Sequence, residues 1–283
     1  MKGIILAGGL GTRLYPITKV ITKQLLPIYD KPLIYYPLSV LMLANIRDIL
    51  IISDKENIEK IKILLGNGEI LGISISYEVQ EKPRGIAEAI IIAKDFIEDE
   101  FALILGDNLL YGHGLPDILR NTKPPTIFLY YVNDPKRYGI AHIKEDRIVL
   151  IEEKPKRPKS NLAIVGLYYL DRFALEVASS LKPSKRNELE IVDVLKAYLN
   201  EGKLNYRILG RGFTFIDCGT FDSMLEASIF ISTIEKRQGL KIGCIEEVAY
   251  RMGFITREQL VELSKNYKNS GYGEYLLKIV RES

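Results

Sequence analysis

Three glycines within four residues, Gly8, Gly9 and Gly11, are followed by Thr12 and Arg13 and, ten residues further on, by Lys23 and Gln24. Glycines leave backbone N–H groups uncovered by side chains, and such a loop can press against phosphate oxygens. Arg13 and Lys23 add fixed positive charge beside those amides. The chemistry this suits is the handling of a polyphosphate, although the same turn also serves simply to let a helix pack closely on a sheet. Two common phosphate fingerprints are excluded by spacing. The Walker pattern needs Gly-Lys-Ser/Thr, and Gly11 is followed by Thr12-Arg13. The dinucleotide pattern needs a further glycine three positions on, where Leu14 stands.

Two acidic residues close apolar runs, Asp107 after Phe101 to Leu105 and Asp217 after Phe213 to Ile216. Carboxylates at the ends of two strands of one sheet can hold Mg²⁺, which takes a few carboxylate oxygens together with phosphate and water. A lone Asp at a strand end equally caps the next loop. Gln80, just past a third run, carries an amide that both donates and accepts, as reading a nucleobase edge requires. Gly85 would let the backbone approach the base, and the same stretch also reads as a plain loop before a helix. Lys154 and Arg186 are equally compatible with surface charge, and Asn187 with Glu190 makes a capping box that is a sufficient structural reason for both. The only histidines are His113 and His142, and no Ser or Cys stands in a nucleophile-elbow pattern. A reaction needing neither a general base nor a covalent nucleophile fits that inventory.

The elements that must position these residues alternate. Ile4 to Ala7 reads as a buried first strand emptying into the glycine loop, and a helix is expected from Asp30, with Leu33, Ile34, Leu38, Leu41 and Met42 on its apolar face. Asp48 to Ser53 is a second strand, Lys55 to Leu65 a helix, Ile73 to Val79 a third strand, Gly85 to Phe96 a helix and Phe101 to Leu105 a fourth strand. Ile140 to Ile143 and Arg147 to Ile151 form a hairpin-like pair, Ser160 to Tyr169 is a strand, and a helix is expected after Arg186. This pattern predicts an α/β fold, a Rossmann-like, mostly parallel mixed sheet flanked by helices, with ligands at the carboxyl ends of the strands. After Thr220 the pattern turns helical: Thr220 caps Phe221 to Gln238 with Gly239 as the stop, then come Ile245 to Arg251, a capping box at Thr256 and Gln259, and Gly271 to Val280. A core over residues 1–220 with an inserted part, and a short C-terminal extension over 221–283 packing on the core or a subunit interface, is the expected organisation.

Composition bounds the partners. The 283 residues are 47% hydrophobic and 27% charged with a net charge of +3, too small to argue for nucleic acid or an anionic membrane. Cys218 and Cys244 are too few and too far apart for a zinc knuckle or a disulfide framework, so a reducing, cytoplasmic setting is expected. Met1 opens no charged-then-apolar leader, and no apolar segment approaches the ~20 residues of a membrane span.

Gly-Gly-x-Gly-Thr-Arg at Gly8 to Arg13, joined to Lys23-Gln24-Leu25-Leu26-Pro27, resembles the sugar-1-phosphate nucleotidyltransferases, most closely their thymidylyltransferase branch. The likeness extends through Gln80 to Ala89, Leu105 to Asn108, Tyr138-Gly139, Glu153-Lys154 and Glu235 to Ile242, so it covers essentially the whole chain. It implies transfer of a deoxythymidylyl group from dTTP to glucose 1-phosphate, with Mg²⁺ on Asp107 and Asp217. Leu6, Gly8, Gly9, Gly11, Thr12, Arg13, Lys23, Gln24, Gln80, Pro83, Gly85 and Asp107 would then bind nucleotide, with Arg13 and Lys23 catalytic. Tyr138, Gly139, Glu153, Lys154, Ile164 and Arg186 would surround the sugar phosphate. Ile86 and Glu88 stand where the branch usually has Leu and Gln, and Asn187 and Leu162 where it has Gly and Tyr. A homotetramer is implied as well. The same reaction with UTP or another sugar 1-phosphate, or a catalytically silent nucleotide sensor, are the competing readings; a sensor is expected to have lost one of Arg13, Lys23, Asp107, Lys154 or Asp217, and all are present.

Overall fold

The computed structural model describes residues 1–282. Its strands are β1 (Lys2–Leu6), β2 (Pro27–Ile28), β3 (Lys31–Pro32), β4 (Asp48–Ser53), β5 (Ser74–Val79), β6 (Phe101–Leu105), β7 (Asn108–Gly112), β8 (Thr126–Tyr131), β9 (Gly139–Lys144), β10 (Arg147–Glu153), β11 (Leu162–Leu170), β12 (Asn205–Leu209) and β13 (Phe213–Asp217). The helices are α1 (Tyr35–Leu43), α2 (Lys55–Leu65), α3 (Ala87–Ile92), α4 (Leu115–Arg120), α5 (Phe173–Ser180), α6 (Ile191–Asn200), α7 (Phe221–Gln238), α8 (Ile245–Arg251), α9 (Arg257–Ser264) and α10 (Gly271–Glu282).

Nine strands form one mixed sheet in the order β10-β9-β11-β6-β1-β4-β5, with β8 joining β11 and β12 joining β8. β1 lies parallel between β4 and β6, and β5 extends the parallel side beyond β4. β1, β4 and β6 are β-branched or leucine-rich runs buried on both faces, as a helix-covered parallel sheet requires, whereas the edge strand β5 exposes Ser74, Ser76 and Glu78 on one face. The other half is mainly antiparallel: β11 opposes β6, β8 and β9, and β9 opposes β10, while β12 lies parallel to β8. The expected mixed sheet flanked by helices is therefore present, with parallel pairs concentrated around β1. The β9–β10 hairpin turns on Glu145 and Asp146, both at positive φ (50° and 56°), the geometry of a two-residue turn matched to strand twist.

One apolar cluster joins a face of the sheet to α1, α8, α9 and α10, through Leu38, Leu41, Ile245, Leu260, Leu276 and Ile279; the opposite face packs on α3, α5 and α6 through Ile90, Ala174 and Leu195. α7 packs its Ala227 and Ile231 on Ile28, Leu33 and Leu109. Thr220 caps it as expected, with Ser223 completing a reciprocal box, and Gly239 ends it at φ 69°. The predicted box at Thr256 and Gln259 is likewise present.

Four expectations are corrected. The first helix begins at Tyr35 and not at Asp30, because Pro27–Ile28 pairs with Lys31–Pro32. Lys31, only 3% exposed, is pinned there by a 3.0 Å ion pair to Glu235 of α7, a tertiary contact that local pattern does not encode. The helix expected over Gly85 to Phe96 shrinks to Ala87–Ile92, since Gly85 sits at φ 105° and the Ala87 N–H donates to the Leu189 carbonyl. Asn187 does not cap a helix: it adopts φ 59°, the helix starts at Ile191, and the Glu190 carboxylate is taken by Ser184 and Arg186. Asp217 does not belong to the main sheet, because β13 pairs only with β7, in a separate antiparallel ribbon.

Candidate active site

β1 delivers the glycine loop at the carboxyl edge of the parallel strands. Gly9 and Gly11 take positive φ (108° and 58°), which favours glycine, and the Thr18 hydroxyl closes the loop by donating to the Gly11 carbonyl at 2.7 Å. Gly8 is needed for a different reason: a Cβ there would lie 2.7 Å from Gln80 Oε1. Gly9, Gly11, Lys23, Gln80 and Pro83 line a cavity of about 570 Å³ between the loop and the amino end of α2. Leu6, Gly8, Gly85, Lys154 and Arg186 line an adjoining space of about 210 Å³ that Gly9, Gln80 and Pro83 also reach.

Asp107 and Asp217 meet through the ribbon. Asp217 is opposite Asn108 in the β7–β13 ladder, and the Cys218 N–H donates to the Asp107 carbonyl at 3.0 Å. Asn108 is the hinge of the arrangement: its Nδ2 donates to Asp107 Oδ1 at 3.1 Å while its Oδ1 accepts from the Gly166 N–H at 3.0 Å. Lys23 Nζ donates to Asp107 Oδ2. Burial alone would lower the Lys23 pKa, but the charge and hydrogen bond of Asp107 carry it above the usual lysine value. Burial likewise opposes ionisation of Asp107, and Lys23 overcomes it to hold the carboxyl below its ordinary range. Asp217 goes the other way, raised by burial and then by the Asp107 charge.

A cavity of about 190 Å³ opens beside this pair, lined by Arg13, Asp107, Asp217, Tyr138, Gly139, Glu153, Lys154 and Ile164. A Cβ on Gly219 would lie 2.6 Å from Arg13 Nη2, so the turn after β13 is bare where the guanidinium crosses it. Lys154 holds φ 41° at the end of β10, its N–H donating to the Tyr138 carbonyl at 3.0 Å. Arg186 Nη2 reaches Glu153 at 3.1 Å, Glu188 at 3.1 Å and Glu190 at 2.7 Å. Burial raises the Glu153 pKa, against the opposing pull of Lys154 and Arg186. Four cationic groups, Arg13, Lys23, Lys154 and Arg186, and a bare backbone loop thus line three neighbouring cavities, the smallest of which holds Asp107 and Asp217. The chemistry available is the gripping of two phosphorylated ligands side by side.

Most of the residues singled out from sequence are brought together here. Gln24 stands apart: it is 1% exposed beneath the loop, its Oε1 accepting from the Thr22 hydroxyl. Thr12 lies on the exposed outer side of its turn. Neither His113 nor His142 lines these cavities. The largest cavity, about 820 Å³ between β10 and β12, contains none of the expected residues. Sequence reasoning missed Arg137, 3.8 Å from Asp217, whose signal was its place directly before Tyr138-Gly139. Asn108 was missed too, although it directly follows Asp107, and Tyr168 in the wall of the smallest cavity carried no signal beyond its strand.

Residues 2–234 match the family model described as Nucleotidyl transferase. A glucose-1-phosphate thymidylyltransferase of Neisseria meningitidis serogroup A is 51% identical over 288 aligned positions, covering 100% of both chains. Among solved structures, a Bacillus anthracis protein crystallised in complex with a sucrose superposes with a TM-score of 0.75 at 41% identity, covering 81% of this chain and 94% of that one. A UDP-glucose pyrophosphorylase complexed with UDP-glucose gives 0.73 at 28% identity, covering 84% and 99%. With its full-length relatives, its matching fold and its glycine loop after the first strand, the chain belongs to the nucleotidyl transferase family.

Proposed function

We propose that this chain transfers a deoxythymidylyl group from dTTP to glucose 1-phosphate, releasing pyrophosphate and forming dTDP-glucose. The observation that carries the reading is the convergence of Arg13, Lys23 and the glycine loop on one cavity system with Tyr138, Glu153, Lys154 and Arg186, in a chain 51% identical end to end to a glucose-1-phosphate thymidylyltransferase. A phosphate monoester with a second pKa of ~6 is largely dianionic at pH 7, so the attacking oxygen needs no base. The residues must instead bring two polyanions together and hold them in line.

In this reading the loop amides, Arg13 and Lys23 bind the triphosphate, with Leu6, Pro83 and Gly85 framing its base. Gly139 and Ile164 shape the sugar site, and Glu153 accepts from sugar hydroxyls. Lys154 and Arg186 clamp the sugar phosphate. Asp107 and Asp217 fit Mg²⁺: two carboxylates are forced close enough for one to raise the pKa of the other, and this ion takes one or two carboxylates plus substrate phosphates. When bound, the ion supplies charge neutralisation at the phosphates. Residues 1–220 act as the catalytic core with the sugar-binding part inserted, and the remainder as a helical extension. The extension offers a surface for assembly into a homotetramer, since α7 turns Phe221, Leu225 and Ile229 outward at 47%, 61% and 57% exposure. No helix among the described residues is long and apolar enough to cross a membrane, and a cytoplasmic location is part of the proposal.

UTP as donor is the second reading, favoured by the superposition on a UDP-glucose pyrophosphorylase. Pyrophosphate release is to be measured with glucose 1-phosphate, Mg²⁺ and each of dTTP, UTP, dCTP, ATP and GTP. Release with dTTP well above the rest supports the proposal, release with UTP above dTTP replaces the donor, and release with none across a panel of sugar phosphates overturns it.

A further inference from the structure

Gln80 follows the last residue of β5, and its side chain is buried at 5% exposure. Its Nε2 donates to Glu88 Oε2 at 2.8 Å. Glu88, on α3 and equally buried, accepts from the Arg84 N–H through Oε2 at 3.1 Å and from Arg84 Nε through Oε1 at 2.7 Å. Every group that faces this carboxylate is therefore a donor. A glutamine amide can ordinarily turn over, exchanging its oxygen and nitrogen at little cost. Here it cannot, because an ionised carboxylate only accepts, and an amide oxygen turned toward it would set lone pair against lone pair. Gln80 Oε1 consequently points to the glycine loop, 2.7 Å from where a Cβ of Gly8 would stand, in the wall shared by the two nucleotide-side cavities.

We propose that Glu88 is a positioning residue that fixes the sense of the Gln80 amide, so that the pocket selects a base with a ring N–H flanked by carbonyls and rejects cytosine. The inference rests on the proposed nucleotidyl transfer with the base seated at Gln80. Thymine and uracil present N3–H as a donor to Oε1, and the second Nε2 hydrogen remains for an adjacent carbonyl. Cytosine presents a lone pair at N3 and would face Oε1 with no hydrogen between them. A site built around one such bond discriminates strongly, because the wrong base leaves a buried acceptor unpaired.

The test compares dTTP with dCTP, by kcat/KM and by direct binding of each nucleotide, in the wild type, Glu88→Gln and Glu88→Leu. Glu88→Gln still offers Gln80 Nε2 an amide oxygen and is expected to keep the wild-type preference within about threefold. Glu88→Leu frees the amide to turn and is expected to reduce the dTTP preference about 10- to 100-fold, mainly through KM, since the base lies away from the reacting phosphorus. A Glu88→Leu protein with unchanged preference overturns the inference and leaves the transferase reading standing. Wild-type enzyme that uses dTTP and dCTP alike also overturns it, while wild type that binds and turns over no nucleotide sinks the underlying reading with it. If the leucine variant fails to fold, the wild type alone decides: the N3-methyl analogue of dTTP, which lacks the ring N–H, is expected to bind about 100-fold more weakly than dTTP. Equal binding of the two overturns the inference.

Discussion

Replacing Asp107 by asparagine separates its role in holding the fold from its role in chemistry. The substitution keeps size and leaves an acceptor for Asn108 Nδ2, now 3.1 Å from the carboxylate. What it deletes is one negative charge between Lys23 and Asp217. In the ligand-free protein two effects oppose each other. Lys23 loses its nearest counter-charge, an interaction of about 4 kcal/mol for charges ~4 Å apart in surroundings of intermediate polarity. Asp217 is relieved of the like charge that raises its pKa, and becomes the counter-ion of Lys23. With desolvation of a buried carboxylate also removed, the net change in stability falls to about 2 kcal/mol or less, a shift of ~4 to 8 °C in Tm at most. The reaction enjoys no such compensation. Losing one preorganised electrostatic partner costs about 2.7–4 kcal/mol in the transition state, or 10²- to 10³-fold in kcat. Pyrophosphate release at saturating dTTP, glucose 1-phosphate and Mg²⁺, beside a thermal melt and a Mg²⁺ titration, is the assay. A folded Asp107→Asn enzyme within twofold of wild-type turnover, with unchanged Mg²⁺ dependence, refutes the assignment of this carboxylate.

Three further outcomes are expected. Burial raises the pKa of Glu246 against the hydrogen bonds of Tyr272 and Tyr267, so the native state binds its proton more tightly than the unfolded chain. Its contribution is complete below the unfolded value of about 4.3 and is lost as pH rises through the folded pKa; Glu246→Gln should thus gain on wild type as pH rises from about 4.3 through the folded pKa, and a pH-independent difference in denaturation midpoint refutes this. Gly85→Ala places a Cβ 2.4 Å from the Leu189 carbonyl oxygen at φ 105°, which should cost about 1–3 kcal/mol and raise KM for both substrates by displacing the segment that carries Arg186. Unaltered kinetics would show that the two loops are not coupled through that contact. Ile229→Asp on the exposed stripe of α7 should reduce the mass seen by light scattering while leaving the protomer folded, and an unchanged mass removes α7 from the assembly surface.

β1, β4 and β6 were legible because they are near-continuous apolar runs followed by glycine or aspartate, and the boundaries of β4, α2, β6 and α8 fell where pattern placed them. Misreadings cluster where a distant group decides the local conformation. Lys31 looks like a solvated residue before a proline, and only Glu235 of α7 makes it a buried strand residue. Asn187 and Glu190 match a capping box in spacing, yet Ser184 and Arg186 claim the glutamate first. The two strand-end aspartates were recognised, but their meeting depends on a ribbon formed by β7 and β13, more than a hundred residues apart and weakly patterned. Glu88 was visible only as a departure from expectation, since what it orients lies eight residues back, on another element.

The sequence left Lys154 and Arg186 poised between surface charge and phosphate ligand, and the structure places both at the cavity wall against carboxylates. Four cations directed at the cavities rest on carboxylates of the same site: Lys23 on Asp107, Arg137 near Asp217, Lys154 on Glu153, and Arg186 on Glu153, Glu188 and Glu190. Left unpaired, such a group of partly buried charges would repel one another and pull the loops apart. Internal carboxylates hold them in place, and in the proposed reaction phosphate oxygens of comparable charge would take over. Arg186, at 38% side-chain exposure, is the member freest to exchange partners, whereas Lys23 at 14% is not. Binding of the two substrates is then largely a substitution of phosphate for carboxylate. On that account the affinity for each substrate reflects how well its oxygens reproduce carboxylate positions, Asp107 for the nucleotide and Glu153 for the sugar phosphate, rather than how many cations surround it.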